Sequence, residues 1–164
     1  MKSFVAYLLG TFLFLSAVNA APIWTSIGST GTIIPPANAA SVQFSGPKLT
    51  YSSTSTMTGG IQIIYNVTSD STASPGWTTI ELVGSNDDTN NGLYAYVYAV
   101  SRTTGALTPL VTATTGPIPG ITVITGTVPT GYVFDFTNYY YYAVVNLVRS
   151  TTTVYPSIIG LRIY

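Results

Sequence analysis

The chain has 164 residues, five basic and five acidic, with no histidine and no cysteine. Those zeros exclude a Ser-His-Asp triad, a Cys-His pair, His-ligated zinc or haem, disulfides and thiolate chemistry. Charged residues make up 6% of the chain, against about 25% in an average domain, so there is no basic surface for phosphate neutralisation and nucleic acid is not an expected partner.

Residues 1–20 read as a leader. Lys2 supplies the positive start, residues 4–18 are largely apolar, and Val18-Asn19-Ala20 puts small residues at −3 and −1 of a cleavage point. The apolar run is short of the ~20 residues a spanning helix needs. The expectation is therefore export with cleavage before Ala21 and no membrane span afterwards, in an extracellular, cell-surface or periplasmic setting. Residues 21–164 would form a single domain. That domain keeps Lys48, Arg102, Arg149 and Arg162 against Asp70, Glu81, Asp87, Asp88 and Asp135, a net charge of −1.

The remainder reads as strands. Thr and Ser are abundant beside 13 Tyr, and β-branched and aromatic residues favour pleated, half-buried surfaces. Residues 23–34 and 42–51 are expected to pair at sheet edges, with Pro35-Pro36 and residues 52–60 as connectors. Over residues 61–68, Ile61, Ile63, Tyr65 and Val67 share one face opposite Gln62, Asn66 and Thr68. Ile80 and Leu82 alternate with Thr79 and Glu81. Over residues 93–100, Leu93, Ala95, Val97 and Ala99 oppose Tyr94, Tyr96, Tyr98 and Val100. Both faces are apolar, so hydropathy does not say which is core. The turn at residues 102–106, carrying Gly105, leads to a strand from Leu107.

Short strands follow at 121–125 and 132–136, set off by Gly and Pro. A long strand at 138–149 and a closing strand at 154–164 complete the pattern. In the closing strand, Ile159, Leu161 and Ile163 form the apolar row. Strands at this spacing without intervening helices give an all-β antiparallel sandwich or barrel. The terminal Tyr164 suggests an outer-membrane barrel, but it shares its face with Arg162 and Gly160 and does not continue the apolar row a lipid-facing aromatic would join. The core is expected to include Ile63, Tyr65, Ile80, Leu82, Val97, Val145, Leu147, Leu161 and Ile163.

Asp135-Phe136-Thr137-Asn138-Tyr139-Tyr140-Tyr141-Tyr142, then Val145, Leu147 and Arg149, then Gly160-Leu161-Arg162-Ile163 before Tyr164, resemble the closing hairpin of small secreted or surface β-sandwich domains of uncharacterised function. Residues 78–83, the Asn/Asp loop, residues 93–101 and the Thr104-Gly105 turn stand in the same order. The resemblance covers roughly the last 90 residues and leaves the N-terminal third unmatched. It implies a jelly-roll-like, two-sheet sandwich and an exported life, with no activity. In such domains the positions of Ala143, Val145 and Leu147 turn inward. Here the opposite face is also apolar, with Tyr140, Tyr142, Val144 and Val148 interrupted by Asn146, and an apolar outward row implies a cover. A loop, the N-terminal segment, a second subunit or a ligand would each serve.

The chemistry-bearing candidates are few. Glu81 with Asp135 or Asp70 would be the carboxylate pair of a glycosidase, but Glu81 stands at an outward strand position where a solvated charge is the plainer reading. Residues 85–92 gather side-chain oxygens, with Asp87, Asp88 and Asn90 as candidate Ca²⁺ ligands. They lack the D-x-D-x-D-G spacing and also suit an ordinary long turn. Asn66-Val67-Thr68 is a glycosylation sequon inside a strand. Tyr94, Tyr96 and Tyr98 would form a ligand-binding aromatic platform if their face is outward.

The expected function is thus a non-enzymatic, exported structural or adhesive protein. It would self-associate as a homo-oligomer through Tyr140, Tyr142, Val144 and Val148, or coat a surface, because so few charges leave a surface prone to association. The alternative is a carbohydrate-binding module that uses exposed tyrosines on a glycan partner. Intact-mass analysis of exported protein should give a chain starting at Ala21; a product retaining Met1 would overturn the leader assignment.

Overall fold

A computed structural model describes residues 23–69, 75–86, 88, 90, 92–116 and 118–164, the side chains of 118 and 119 excepted. The expected leader and its cleavage point lie outside the described residues. Two antiparallel sheets face each other. One is ordered β3 (Val42–Ser45), β4 (Lys48–Tyr51), β11 (Ser157–Ile163), β6 (Thr79–Asn86) and β9 (Ile118–Thr127), with β1 (Trp24–Ile27) also pairing with β11. The other is ordered β2 (Thr32–Ile34), β5 (Gly59–Val67), β10 (Tyr139–Arg149), β7 (Tyr94–Ser101) and β8 (Leu107–Thr114). The expected all-β sandwich is the observed architecture. Two open sheets with edge strands are not a closed barrel.

Period-two alternation builds the core. All nine expected core residues are buried: Ile63, Ile80, Leu82, Val97, Val145, Leu147 and Ile163 are fully enclosed, and Tyr65 and Leu161 nearly so. Along β10, Ala143, Val145 and Leu147 point inward, and the register places them opposite Tyr65, Ile63 and Ile61 of β5. Packed inner faces of this kind supply the main favourable free energy of a sandwich.

Several expected elements differ, each for a local reason. Residues 23–34 do not form one edge strand, because β1 joins the six-stranded sheet and β2 the five-stranded one, with a 3-10 turn at Gly28–Thr30 between them. Residues 42–51 form a complete hairpin, β3 and β4, turning at residues 46–47. Pro36–Ser41 is a second 3-10 turn. Residues 121–125 are the middle of the longer β9. Residues 132–136 are not a strand, although they alternate. Tyr132 and Phe134 pack edge to face, Phe134 and Phe136 meet the Tyr141 ring at a tilt, and Trp77 meets both phenylalanines edge-on. Aromatic burial thus replaces sheet pairing there.

In β11 a bulge lies between Ile158 and Gly160, which turns Ile158 inward in place of Ile159. A second bulge opposite the Val97-Tyr98 step lets both Leu110 and Val111 of β8 point inward and sets Pro109 beside Tyr98. Pro109 is tolerated because β8 is an edge strand. Gly126 is required by packing, since a Cβ there would lie 2.4 Å from the Thr112 carbonyl oxygen.

The largest fully buried side chain is a charged one. Arg149, at the end of β10, donates from Nε to the Met57 carbonyl at 2.8 Å and from Nη2 to the Ser55 carbonyl at 2.7 Å. A longer contact at 3.5 Å reaches the Val154 carbonyl, and the guanidinium lies 4.0 Å from the centroid of the Tyr51 ring. Tyr51 itself donates toward the Gly59 and Leu147 carbonyls at 2.7 and 3.0 Å. These two side chains tie the connector at residues 52–58, the end of β10 and the six-stranded sheet into one polar knot, and a satisfied knot of this kind is stable only while every partner remains.

Val145→Ala and Leu147→Ala should each lower unfolding free energy by about 1–4 kcal/mol in denaturant titrations. Arg149→Lys should cost about 2–3 kcal/mol or more, because a single ammonium cannot reach the spread carbonyls that the fork serves. Neutral effects at Val145 and Leu147 would contradict the observed inward face.

Alkaline pH should also unfold the protein. Burial raises Tyr51 from its ordinary 10.0 to about 12, against an opposing pull from Arg149. Burial raises Tyr65 and Tyr132 further, the latter helped by its hydrogen bond to Tyr141. A raised phenol holds its proton in the folded state after the unfolded chain has lost its own. Its contribution is therefore complete below about pH 10 and is lost as pH climbs through 12. A pH-stability profile should be flat near neutrality and fall above pH 10.

Candidate functional site

The outer face of the five-stranded sheet brings together two residue sets that the sequence offered separately. In β7, Ala95, Val97 and Ala99 are buried while Tyr94, Tyr96 and Tyr98 point outward and are half-buried. In β10, Tyr140, Tyr142, Val144, Asn146 and Val148 point outward. Because β10 lies between β5 and β7, these positions form rows across the strands. Asn66, Tyr142, Tyr98 and Pro109 make one row, and Ile64, Val144, Tyr96 and Thr112 the next. Gln62, Asn146, Tyr94 and Thr114 make a third.

The aromatic rings touch. Tyr98 stacks on Tyr142 with centroids 5.4 Å apart and planes at 27°, and Tyr96 lies 6.1 Å from Tyr98 with planes at 31°. The three rings form a continuous aromatic surface. Burial raises the pKa of Tyr96, with smaller contributions from Tyr98 and Tyr94, and burial followed by Tyr98 raises that of Tyr142. Both phenols therefore remain neutral at physiological pH and can both donate and accept. Asn66 stands beside Tyr142 and Asn146 beside Tyr94, with Gln62 next to Asn146, and all three bring amide donors and acceptors. None of the residues in these three rows is charged.

Val144 is only 8% exposed, covered by its neighbours in the row, whereas Tyr140 is 57% exposed at the end of the face. Val148 lies opposite Gly60, beyond the aromatic rows. The interface candidates therefore differ in accessibility: Tyr140 and Tyr142 offer ring surface, and Val144 offers little.

The remaining candidates lie elsewhere. Glu81 is not a solvated charge. It is 8% exposed and held by Arg162, with Nε–Oε1 and Nη2–Oε2 both at 2.7 Å, on the outer side of the other sheet. Asp135 accepts from the Thr137 and Asn138 amides and from Asn138 Nδ2, and those bonds, the Asn138 side chain first, hold its pKa low. Asp70 lies outside the described residues, as does Asp87. Asp88 is buried and accepts from the Asn90 amide, the Ser150 amide and Ser150 Oγ, while Asn90 Nδ2 donates to Ser150 Oγ. These contacts anchor the loop to the turn after β10. Among the described residues no group of three or more acids gathers as metal ligands. Asn66 of the sequon is exposed beside Tyr142.

Sequence reasoning missed that the two tyrosine sets form one surface, and it missed the flanking amides. The alternation over residues 61–68 already put Gln62 and Asn66 on the outer face. Only the pairing of β5, β10 and β7 puts them beside the tyrosines.

No protein-family model matches the sequence, and no curated protein matches it. Solved structures do resemble it in fold. A family 6 carbohydrate-binding module from Clostridium stercorarium, solved with cellobiose, superposes with a TM-score of 0.50 at 13% identity, covering 84% of this chain and 90% of that one. A β-1,3-glucan-binding module of the same family from Bacillus halodurans gives a TM-score of 0.50 at 12% identity, covering 84% and 92%. The likeness thus extends well beyond the last 90 residues, and the chain shares the β-sandwich fold of these carbohydrate-binding modules.

Proposed function

We propose that this protein is an exported, non-enzymatic glycan-binding domain, spanning residues 21–164, whose ligand lies across the outer face of the five-stranded sheet. The observation that carries the reading is the continuous surface of Tyr96, Tyr98 and Tyr142, with Asn66 beside Tyr142 and with Asn146 and Gln62 in a neighbouring row, on an uncharged face. A sugar ring presents an apolar C–H face and a rim of hydroxyls. Flat aromatic rings bury the first, and neutral amides and phenols pair with the second without the desolvation cost of a charge. The fold shared with modules solved with cellobiose or binding β-1,3-glucan supports the same reading.

Affinity electrophoresis and calorimetry on cellulose-derived and β-1,3-linked glucans test it. Tyr98→Ala and Tyr142→Ala should each weaken binding about tenfold or more, as loss of a central aromatic anchor does, with the circular dichroism unchanged. Wild-type protein that binds neither glucan class, or tyrosine variants that bind as tightly as wild type, would overturn the reading.

Assembly of copies through the same face is a second reading, favoured by the exposure of Tyr140 and the small number of charges. Light scattering separates the two. An oligomer that Val144→Lys with Val148→Lys turns into a folded monomer supports assembly, and a wild-type monomer at high micromolar concentration removes it.

A further inference from the structure

At the end of the tyrosine face, where β5 and β10 meet the turn after β7, lies a groove of about 560 Å³ lined by Asn66, Thr68, Phe136, Tyr140, Tyr142 and Arg102. It continues the platform directly, because Tyr142 belongs to both and Tyr140 is the next outward position on β10. The guanidinium of Arg102 lies over the exposed Tyr140 ring, its central carbon 4.3 Å from the centroid. Nη1 donates to the Thr137 carbonyl at 3.2 Å. These two contacts hold the fork in place before any ligand arrives.

Among the described residues that is the one hydrogen bond the Arg102 side chain makes, and the one ion pair belongs to Arg162 and Glu81. The neighbouring acid among the described residues is Asp135, close enough for the Arg102 charge to help lower its pKa. Asp135 directs its oxygens at the Thr137 and Asn138 amides and at Asn138 Nδ2, so it forms no salt bridge with the fork. A guanidinium seated over a ring, with N–H donors that no protein acceptor engages, suits a planar or tetrahedral oxyanion.

We infer that Arg102 receives an oxyanion substituent, a carboxylate or a sulfate ester, carried by the glycan that lies on the tyrosines, so that the ligand is an acidic polysaccharide with a charged sugar at the Tyr140 end. The inference rests on the glycan-binding reading and adds the class of sugar. The tyrosines hold neutral ring faces, and the groove selects the charged one.

The test compares three probes on the full exported protein at low and high salt: cellohexaose, the same oligosaccharide oxidised to uronate at C6, and the same sulfated at C6. Wild type should bind at least one charged probe about tenfold more tightly than cellohexaose, the size expected of a charge-assisted pair, and salt should erode that preference. The stronger of the two charged probes tells carboxylate from sulfate. Arg102→Gln, which keeps a donor for the Thr137 carbonyl, should abolish the preference and leave cellohexaose affinity within about twofold. Asp135→Asn keeps the turn's acceptor while removing the nearby negative charge, so it should enlarge the preference.

Equal wild-type affinity for all three probes, or a preference that Arg102→Gln retains, overturns the inference while the glycan reading stands. Failure of all three probes to bind overturns the inference, and it overturns the glycan reading as well where β-1,3-linked glucans also fail to bind. Charged probes whose binding Tyr98→Ala leaves untouched would show a groove acting without the platform, and would likewise overturn both.

Discussion

The register of β10 is the constraint on which the other features depend. One eleven-residue strand is paired on both sides, with β5 and with β7. Its odd-numbered positions 143, 145 and 147 lie in the core, and its even-numbered positions 140, 142, 144, 146 and 148 form the outer face. A slip of one residue would exchange the two sets. It would bury Asn146 and Tyr142 and expose Leu147, so burial alone penalises the wrong register. Arg149 reinforces the choice, because its guanidinium meets the Ser55 and Met57 carbonyls only when the end of β10 is in place. Tyr51 reads the same register from the opposite sheet through the Leu147 carbonyl. The tyrosine platform is thus a consequence of core packing on the reverse side of the strand.

Much of the fold was legible in the sequence because alternation is a local signal. Ile61, Ile63, Tyr65 and Val67 announce an inward face without reference to any other strand, and so do Ile80 and Leu82. Three kinds of feature were not local. A bulge shifts the phase of alternation inside a strand, so Ile158 and not Ile159 faces inward in β11. Residues 132–136 alternate like a strand but are captured by Trp77 and Tyr141, and that capture depends on residues far along the chain. Glu81 looks solvated on its own strand, and its pairing with Arg162 is visible only once β6 lies beside β11.

The candidate site was half legible for the same reason. Tyr94, Tyr96 and Tyr98 alternate with Ala95, Val97 and Ala99, and hydropathy could not choose between two apolar faces. Volume does choose. Two Ala and one Val against three Tyr leave little bulk on the inner side of β7, where Ala95, Val97 and Ala99 lie beside Val145, Ala143 and Tyr141 of β10. Large rings are accommodated outside, where the neighbouring strand supplies another ring to stack on. Adjacency of β7 and β10 is topology, and nothing in either segment specifies it alone.

The distribution of charge follows from the same economy of polar groups. A domain with so few charged side chains gives several of them structural tasks: Arg149 holds the connector carbonyls, Asp88 the Ser150 turn and Asp135 the turn before β10, while Glu81 pairs with Arg162 on the outer side of the other sheet. Lys48 is on β4, also in the other sheet. The tyrosine face is left without a formal charge, which lets it bury apolar surface at little desolvation cost. Against that neutral background, a single guanidinium at its margin has a disproportionate effect. Little else competes with it for an anion, and the low polarity of the adjacent rings strengthens the field a ligand meets there. Discrimination between neutral and charged sugars on such a surface would then be set by one side chain, Arg102, and moderated by one neighbour, Asp135.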